Sequence, residues 1–458
     1  MAWLRSFNDR WWSDQYLCSG YRMGSAPVDR RNRRMRDGAP VLKPSLSGLV
    51  RVFGRIGLLS FGGPAAQISL MHQELVERRP WLDEQTFLRA LSLCMLLPGP
   101  EAMQLATYAG WRLRGVPGGL IAGGLFVFPG ALVIAVLVGL YAAYGDLPLV
   151  QAAFLGIKAT VIVIVLQAVL NLSRKTLSGA EPGILAILAF VAIFALNLPF
   201  PLIILAAAIW GFSRKPSEQP SVSQNVDPAL ARPVRTAALW LVLWLAPLVL
   251  LTLFGQTLLS DLGWFFARLA VVTFGGAYAV LAYMTQTVVE NYQWISTDQM
   301  IDALGLAETT PGPLILVTQF VAMLAGQLAG GMSLALAAGV VALWATFVPC
   351  FLWIFVAAPY LDVIAQRPRL SGALRAITAA VVGVILNLSV WFGLDVLFGT
   401  IGEVEFGPIS LPIPVFSTLD IAAVGLTSLA GVLIFIRKTG LATTLGIMIG
   451  AGAILHLV

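Results

Sequence analysis

From about Gly48 to Val458 the chain returns repeatedly to apolar stretches of roughly 20 residues, the length at which a helix crosses a bilayer. They run approximately over 48–70, 86–111, 117–144, 149–172, 183–197 and 199–212, then 236–257, 263–287, 302–327, 332–358, 372–397, 418–436 and 440–457. In hydrocarbon every backbone polar group must be satisfied internally, so only helices and closed barrels can span. The apolar runs are continuous rather than alternating, which excludes a transmembrane β-barrel. Only 11% of the residues are charged, against roughly 25% in a soluble domain. The expected fold is therefore an all-α polytopic membrane protein with about thirteen transmembrane helices.

Several functions are disfavoured at once. Cys18, Cys94 and Cys350 show no paired spacing, and His72 and His456 are the only histidines, so no metal-ligand cluster is expected. The net charge is +6, but the arginines of DRRNRRMRD (29–37) precede the first apolar stretch. There they read as a cytoplasmic topology signal rather than a nucleic-acid surface. The opening MAWLRSFNDRWW has no uninterrupted apolar core and is not expected to be a secretory signal. No Gly-Lys pair occurs, so a phosphate loop is absent and a nucleotide-driven pump is disfavoured. No nucleophile stands with a base and no acids cluster near a span, so an enzyme is not expected.

The chain repeats itself. SFGGP at Ser60–Pro64 returns as TFGGA at Thr273–Ala277, Trp81 as Trp294, LPGP at Leu97–Pro100 as TPGP at Thr310–Pro313, and Arg55 as Arg268, each pair 213 residues apart. Beyond this block small gaps are needed: Pro129 answers Pro349, Lys158 answers Arg375, and LNLS near Asn171 answers LNLS near Asn387. The expected organisation is a basic, disordered extension (1–47), a first repeat (48–212), a cytoplasmic linker (213–235), an extra helix (236–257) and a second repeat (258–458). With the basic extension inside, most loops rich in Lys and Arg fall on the inner face. The extra helix then starts the second repeat from the opposite face, giving the inverted repeat typical of secondary transporters. One loop dissents: Glu290 to Asp302 should lie inside yet carries no Lys or Arg.

The Pro-Gly-Pro turns interrupt apolar stretches, and broken backbone is tolerated at membrane depth only against protein or water. Proline suits the first position of a helix. Each PGP (Pro98, Gly99, Pro100 and Pro311, Gly312, Pro313) is thus expected to begin a half-helix whose free N–H groups attract an oxyanion. The FGG elements (Gly62, Gly63 and Gly275, Gly276) offer a second permissive turn. Tight packing without a ligand is the plainer reading of both. Arg55, Arg268, Lys158 and Arg375 are candidate partners for an anion with several oxygens, although the arginines can also snorkel from span ends. Thr309, Thr310, Gln104 and Gln319 could complete a polar shell. Glu101 follows its PGP and suits a helix start, whereas Glu308 precedes its PGP; both are candidates for proton coupling.

The segments SFGGPAAQISLMHQELVERRPWLDEQTFLRALSLCMLLPGPEAMQLATYAGW and FARLAVVTFGGAYAVLAYMTQTVVENYQWIS, with LGLAETTPGPLILVTQF, closely resemble the chromate ion transporter family of the long, two-domain type. The resemblance covers nearly everything from Gly48 onward. It implies export of chromate from the bacterial cytoplasm across the plasma membrane and chromate resistance, with sulfate as a related oxyanion. It carries the motif residues Gly62, Gly63, Pro98, Gly99, Pro100, Gln104, Gly275, Gly276, Pro311, Gly312 and Pro313. Family members more often have Gln-Gln where Met103-Gln104 stands. The expected partners are chromate and sulfate, the lipid bilayer and a second copy of the chain, with no nucleic acid and no cofactor. An anion channel, and a carrier of sulfate or another oxyanion, stay open as alternatives.

Overall fold

In the computed structural model the described residues are 44–214, 231–274, 277–360, 368–406 and 409–457. Most of the basic extension and of the 213–235 linker, and both Gly275 and Gly276, lie outside them. The first half contains α1 (Leu46–Leu59), α2 (Gly63–His72), α3 (Glu84–Leu96), α4 (Glu101–Tyr144), α5 (Pro148–Thr176), α6 (Ala180–Phe194) and α7 (Phe200–Ser213). Then come α8 (Ala231–Leu253), α9 (Thr257–Val272), α10 (Ala277–Gln286), α11 (Thr297–Glu308), α12 (Val317–Ala357) and α13 (Pro368–Leu397). A hairpin of β1 (Ile401–Phe406) and β2 (Ile409–Pro414), then α14 (Ile421–Gly431) and α15 (Leu441–Leu457), complete the chain.

Local signals recur in both halves. Asp83 caps α3 by accepting from Thr86 N, and Ser296, at the same register, caps α11 by accepting from Gln299 N. Either cap satisfies a donor that the helix start would orphan. A π-helical turn follows α2 at Gln73–Glu77 and another follows α10 at Thr287–Asn291. The long helices α4 and α12 each contain a break, at Arg114-Gly115 and at Gly330-Gly331. At the first break the chain doubles back. A Cβ placed on Gly110 would sit 2.2 Å from Gly118 O, so the two backbones touch. Small residues permit such contact, which is how helices associate where lipid competes with apolar packing.

Five helices are long and apolar enough to cross a membrane: Glu101–Tyr144, Pro148–Thr176, Val234–Leu253, Leu314–Tyr360 and Arg369–Leu397. The remaining apolar stretches are divided into shorter helices. Stretch 48–70 splits at the FGG turn, and 183–197 and 199–212 are separate helices of 15 and 14 residues. At the FGG turn α2 folds back beside α1. Arg55 Nη1 lies 3.9 Å from Glu74 Oε1, whereas collinear helices would hold residues 19 positions apart at about 28 Å.

The halves interlock. The long helices α4 and α12 pack together, as do α5 and α13. The terminal pair of each half crosses over: α6 and α7 pack on α13, while α14 and α15 pack on α5. These contacts are again close, with a Cβ on Gly383 meeting Ala186 O at 2.0 Å and one on Gly156 meeting Met448 O at 2.0 Å. On the outside, α4 exposes Phe128, Leu132, Val136 and Leu140 every four residues, a stripe suited to lipid.

Candidate functional site

Each PGP turn is gripped by the other half of the molecule. Gly99 N donates to Thr273 O at 2.9 Å, and Gly312 N donates to Ser60 O at 2.9 Å. Ser60 and Thr273 are the residues that open the two FGG elements, so the bonds are exchanged crosswise. Their hydroxyls turn back onto their own helices, Ser60 Oγ to Ile56 O at 2.5 Å and Thr273 Oγ1 to Leu269 O at 2.6 Å. That keeps the side chains off the carbonyls, which are left to accept from the turns. Gly99 has φ 118° and Gly312 φ 93°, backbone that a side chain would strain. Space is tight as well: a Cβ on Gly99 would meet Gln104 Nε2 at 2.8 Å and Cys350 Sγ at 3.0 Å, and one on Gly312 would meet Leu316 Cδ1 at 3.1 Å and Phe126 O at 3.3 Å.

As expected, each PGP ends one helix and precedes another. Pro98, Gly99 and Pro100 join α3 to α4, and Pro311, Gly312 and Pro313 join α11 to a 3₁₀ turn, Leu314–Leu316, that leads into α12. Helix α4 begins at Glu101 with no side-chain cap, and α2 begins at Gly63 with none either. Gly62 and Gly63, at φ 85° and 78°, form the turn between α1 and α2. Their counterparts Gly275 and Gly276 lie outside the described residues.

Two glutamines hold the turns. Gln104 Nε2 donates to Pro98 O at 2.7 Å, and Gln67 Nε2 donates to Gly312 O at 2.7 Å and Ser60 O at 3.2 Å. Gln67 was not singled out from the sequence, because its register partner is Val280 and the repeat test favours residues that recur. A polar residue on the buried face of the helix that starts at FGG was the available signal. Gln319 is nearby in the chain, but its amide donates to Ala131 O at 3.0 Å and ties α12 to α4. Thr309 and Thr310 donate to Leu306 O and Ala307 O, finishing α11 rather than facing a shared shell.

The two carboxylates border the turns differently. Glu101 is the half-buried first residue of α4, where the helix start favours negative charge. Glu308, the last residue of α11, accepts from Tyr278 Oη at 2.7 Å. Tyr278 lies just beyond the second FGG, so this bond joins PGP and FGG of one half.

None of the four candidate cations is brought to the turns. Arg55 is exposed and faces buried Glu74, which also binds Arg78 at 2.6 Å and Arg79. Burial acts to raise the Glu74 carboxyl, but hydrogen bonds from Arg78 and Arg79 outweigh it and hold the group below its usual value. Arg268 is exposed and donates to Trp264 O at 3.2 Å and Tyr292 Oη at 3.5 Å. Arg375 donates to Ser371 O and Oγ, both at 3.4 Å. Lys158 pairs with Asp298 and lies 4.0 Å from Asp302, which accepts from Tyr141 Oη at 2.9 Å. The lysine thus bridges α5 to α11 in the other half.

The sequence-wide comparisons match this duplicated layout. The chromate transporter family profile matches residues 47–212 and 260–456. A chromate transport protein of Cupriavidus metallidurans is 29% identical over 344 residues, covering 74% of this chain and 81% of that relative. A probable chromate transport protein of Synechococcus elongatus is 30% identical over 352 residues, covering 76% and 85%. An uncharacterized transporter of Bacillus subtilis, YwrA, is 29% identical over 166 residues, 36% of this chain but 93% of the relative. No solved structure matches. With its two blocks together spanning most of the sequence, and the paired FGG and PGP turns inside them, this chain is a member of the chromate transporter family.

Proposed function

We propose that this chain is a secondary transporter that exports chromate from the bacterial cytoplasm, the anion passing where the PGP and FGG turns meet. The crosswise bonds from Gly99 N to Thr273 O and from Gly312 N to Ser60 O carry the reading. They place helix starts, which favour anions, in the interior between two halves that could move against each other. The relatives named for chromate transport supply the substrate.

The topology we favour is an inverted repeat in which 48–212 and 258–458 are equivalent halves and α8 reverses the second. Its crossings are the five long helices, and the shorter pairs enter from one face and return. Arg114 Nε donates to Pro44 O just ahead of α1, at 2.5 Å, so the break in α4 sits at the face from which α1 enters. The Arg78-Arg79 loop then shares the inner face with the N-terminus, as the positive-inside rule prefers. The loop after α10 falls on the outer face, which removes the dissent of Glu290 to Asp302. In support, Glu290 and Gln286 line one cavity of about 160 Å³ with Asn197 and with Pro412 of the β-hairpin.

Energetics permit export without a pump. A dianion leaving a negative interior gains about twice 2.3 kcal/mol per 100 mV. Glu308, with Tyr278, is the candidate for proton coupling, and Glu101 the second. Sulfate shares the tetrahedral shape and stays the competing substrate; a second copy of the chain as partner remains part of the proposal. The deciding measurement is chromate and sulfate uptake into everted vesicles, with pH gradient and potential set independently. Saturable chromate uptake driven by an inside-positive potential is expected. Uptake of neither anion would sink the reading, and single-channel currents would convert it to a channel.

A further inference from the structure

We infer that the anion accepted between these turns carries a proton: the site is built for a singly charged, protonated tetrahedral oxyanion, hydrogen chromate under the function proposed above. Helix starts supply only donors, so a fully deprotonated dianion would need nothing else. The turns also present acceptors. Gln67 and Gln104 are 1% and 0% exposed, and both side chains reach back over the start of their own helices. Among the described residues the Oε1 atom of each has no hydrogen-bond partner. Rotating either amide would not help. It would set Oε1 against Gly312 O or Pro98 O, each now 2.7 Å from the donating Nε2. The carbonyls of Gly312 and Pro98 thus hold each amide in one orientation, with a buried acceptor oxygen beside each PGP turn. A buried acceptor left without a donor is costly, and a protonated oxyanion brings the O–H that a dianion lacks.

Charge points the same way. Lys158, Arg55, Arg268 and Arg375 are all engaged away from the turns, while Glu101 and Glu308 border them. The solvation lost on entry grows with the square of the charge, so a dianion loses about four times what a monoanion does. Titratable groups on the packed elements also include Arg51 on α1, Arg89 and Cys94 on α3, Tyr108, Arg112 and Arg114 on α4, Tyr278 and Tyr283 on α10, Asp298 and Asp302 on α11, and Cys350 on α12. On α1 and α2, Arg55 faces Glu74, and His72 contacts Glu77 and Glu84. The proton rides on an oxygen of the anion, and no bond to the central atom forms or breaks. One proton and one net negative charge move together per turnover. Chromate takes up a proton near neutrality and sulfate only in strong acid, so one site feature would separate the two.

The test is initial uptake into everted vesicles at clamped potential, with equal pH on both sides, from weakly acid to weakly alkaline. Chromate is compared with molybdate, which protonates at lower pH, and with selenate, which stays a dianion. The KM for total chromate should rise about tenfold per pH unit above the anion's own titration and stay constant when expressed as hydrogen chromate. Molybdate should show the same profile displaced to lower pH, and selenate should compete poorly throughout. Gln67→Met and Gln104→Met should each flatten the chromate profile. A wild-type KM independent of pH, equal competition by selenate, or one common midpoint for chromate and molybdate would overturn the inference while leaving chromate transport intact. Absence of uptake of any oxyanion would instead remove the function on which it rests.

Discussion

Helices α3 and α11 occupy the same register in the two halves, each running from a capped start to a PGP turn, yet they are engaged very differently. On α3 the residues Gln85, Leu88, Arg89, Ser92 and Met95 are exposed. Their counterparts 213 positions later are Asp298, Ile301, Asp302, Gly305 and Glu308: the middle three are buried, Asp298 is exposed but pairs with Lys158 of α5, and Glu308 accepts from Tyr278 of α10. A Cβ on Gly305 would meet Ile157 Cγ2 at 2.1 Å, and Lys158 closes the same contact by ion pairing. The backbone scheme was duplicated, while the side-chain chemistry diverged. On this face the acids Asp298, Asp302 and Glu308 stand on α11, where α3 has Gln85, Arg89 and Met95. Repeated backbone bonds mark what both halves must do; unrepeated side chains mark where they differ.

The largest effect is expected where the halves agree. Gly99→Ala and Gly312→Ala each place a Cβ on backbone that costs about 1–2 kcal/mol in the left-handed region, and each crowds a neighbour. Chromate uptake per amount of folded protein should fall on the order of tenfold for either. An effect confined to one glycine would break the equivalence of the two turns.

Next in size comes the contact that the halves do not share. Lys158→Met leaves Asp302 buried without its cation, a loss of about 3–5 kcal/mol. It should lower the melting temperature in detergent, and the added change Asp302→Asn should restore most of it. Arg375→Met, at the equivalent place on α13, should stay within about 0.5 kcal/mol. Equal losses at both sites would show that α13 makes a lock this structure does not contain.

Smaller again is the Tyr278–Glu308 bond, whose register partners are Ala65 and Met95. Tyr278→Phe should cost about 1–3 kcal/mol if the carboxylate stays buried, read as a melting shift. Proton coupling at Glu308 would appear as an altered response of transport to the pH gradient in Glu308→Gln. An unchanged response would remove Glu308 from that role.

The smallest effect belongs to Glu74, whose register partner is Thr287. Its carboxyl is held below the usual value, so its stabilisation is complete above the unfolded value of about 4.3. It is lost only as pH falls through the lower folded value. Glu74→Gln should therefore lower stability by about 1 kcal/mol or less near neutrality, because its arginine partners are exposed, and by nothing in strong acid. A difference that persists in acid would argue that packing, not charge, holds that corner.

Much of this was legible in the sequence. Apolar length announced the membrane, and the constant offset announced the duplication. Proline and glycine located both broken turns, because their conformational limits act on the residue itself and need no partner. The candidate cations were less legible. Hydropathy finds a charge at depth but not the direction in which a long side chain reaches, and Lys158 reached across to Asp298. Gln67 was hidden for the opposite reason: nothing about it repeats, and its bond to Gly312 spans 245 positions.

Taken alone, the sequence determined that this chain is helical, membrane-bound, duplicated and broken at two equivalent points. Those are properties of segments, set by how many apolar residues follow one another and where backbone donors are missing. Only the tertiary structure decided that each broken turn bonds the other half, that α2 folds back on α1, and that glutamines rather than arginines hold the turns. A hydrogen bond needs two groups within about 3 Å, and which distant groups meet is settled by packing that no single segment encodes.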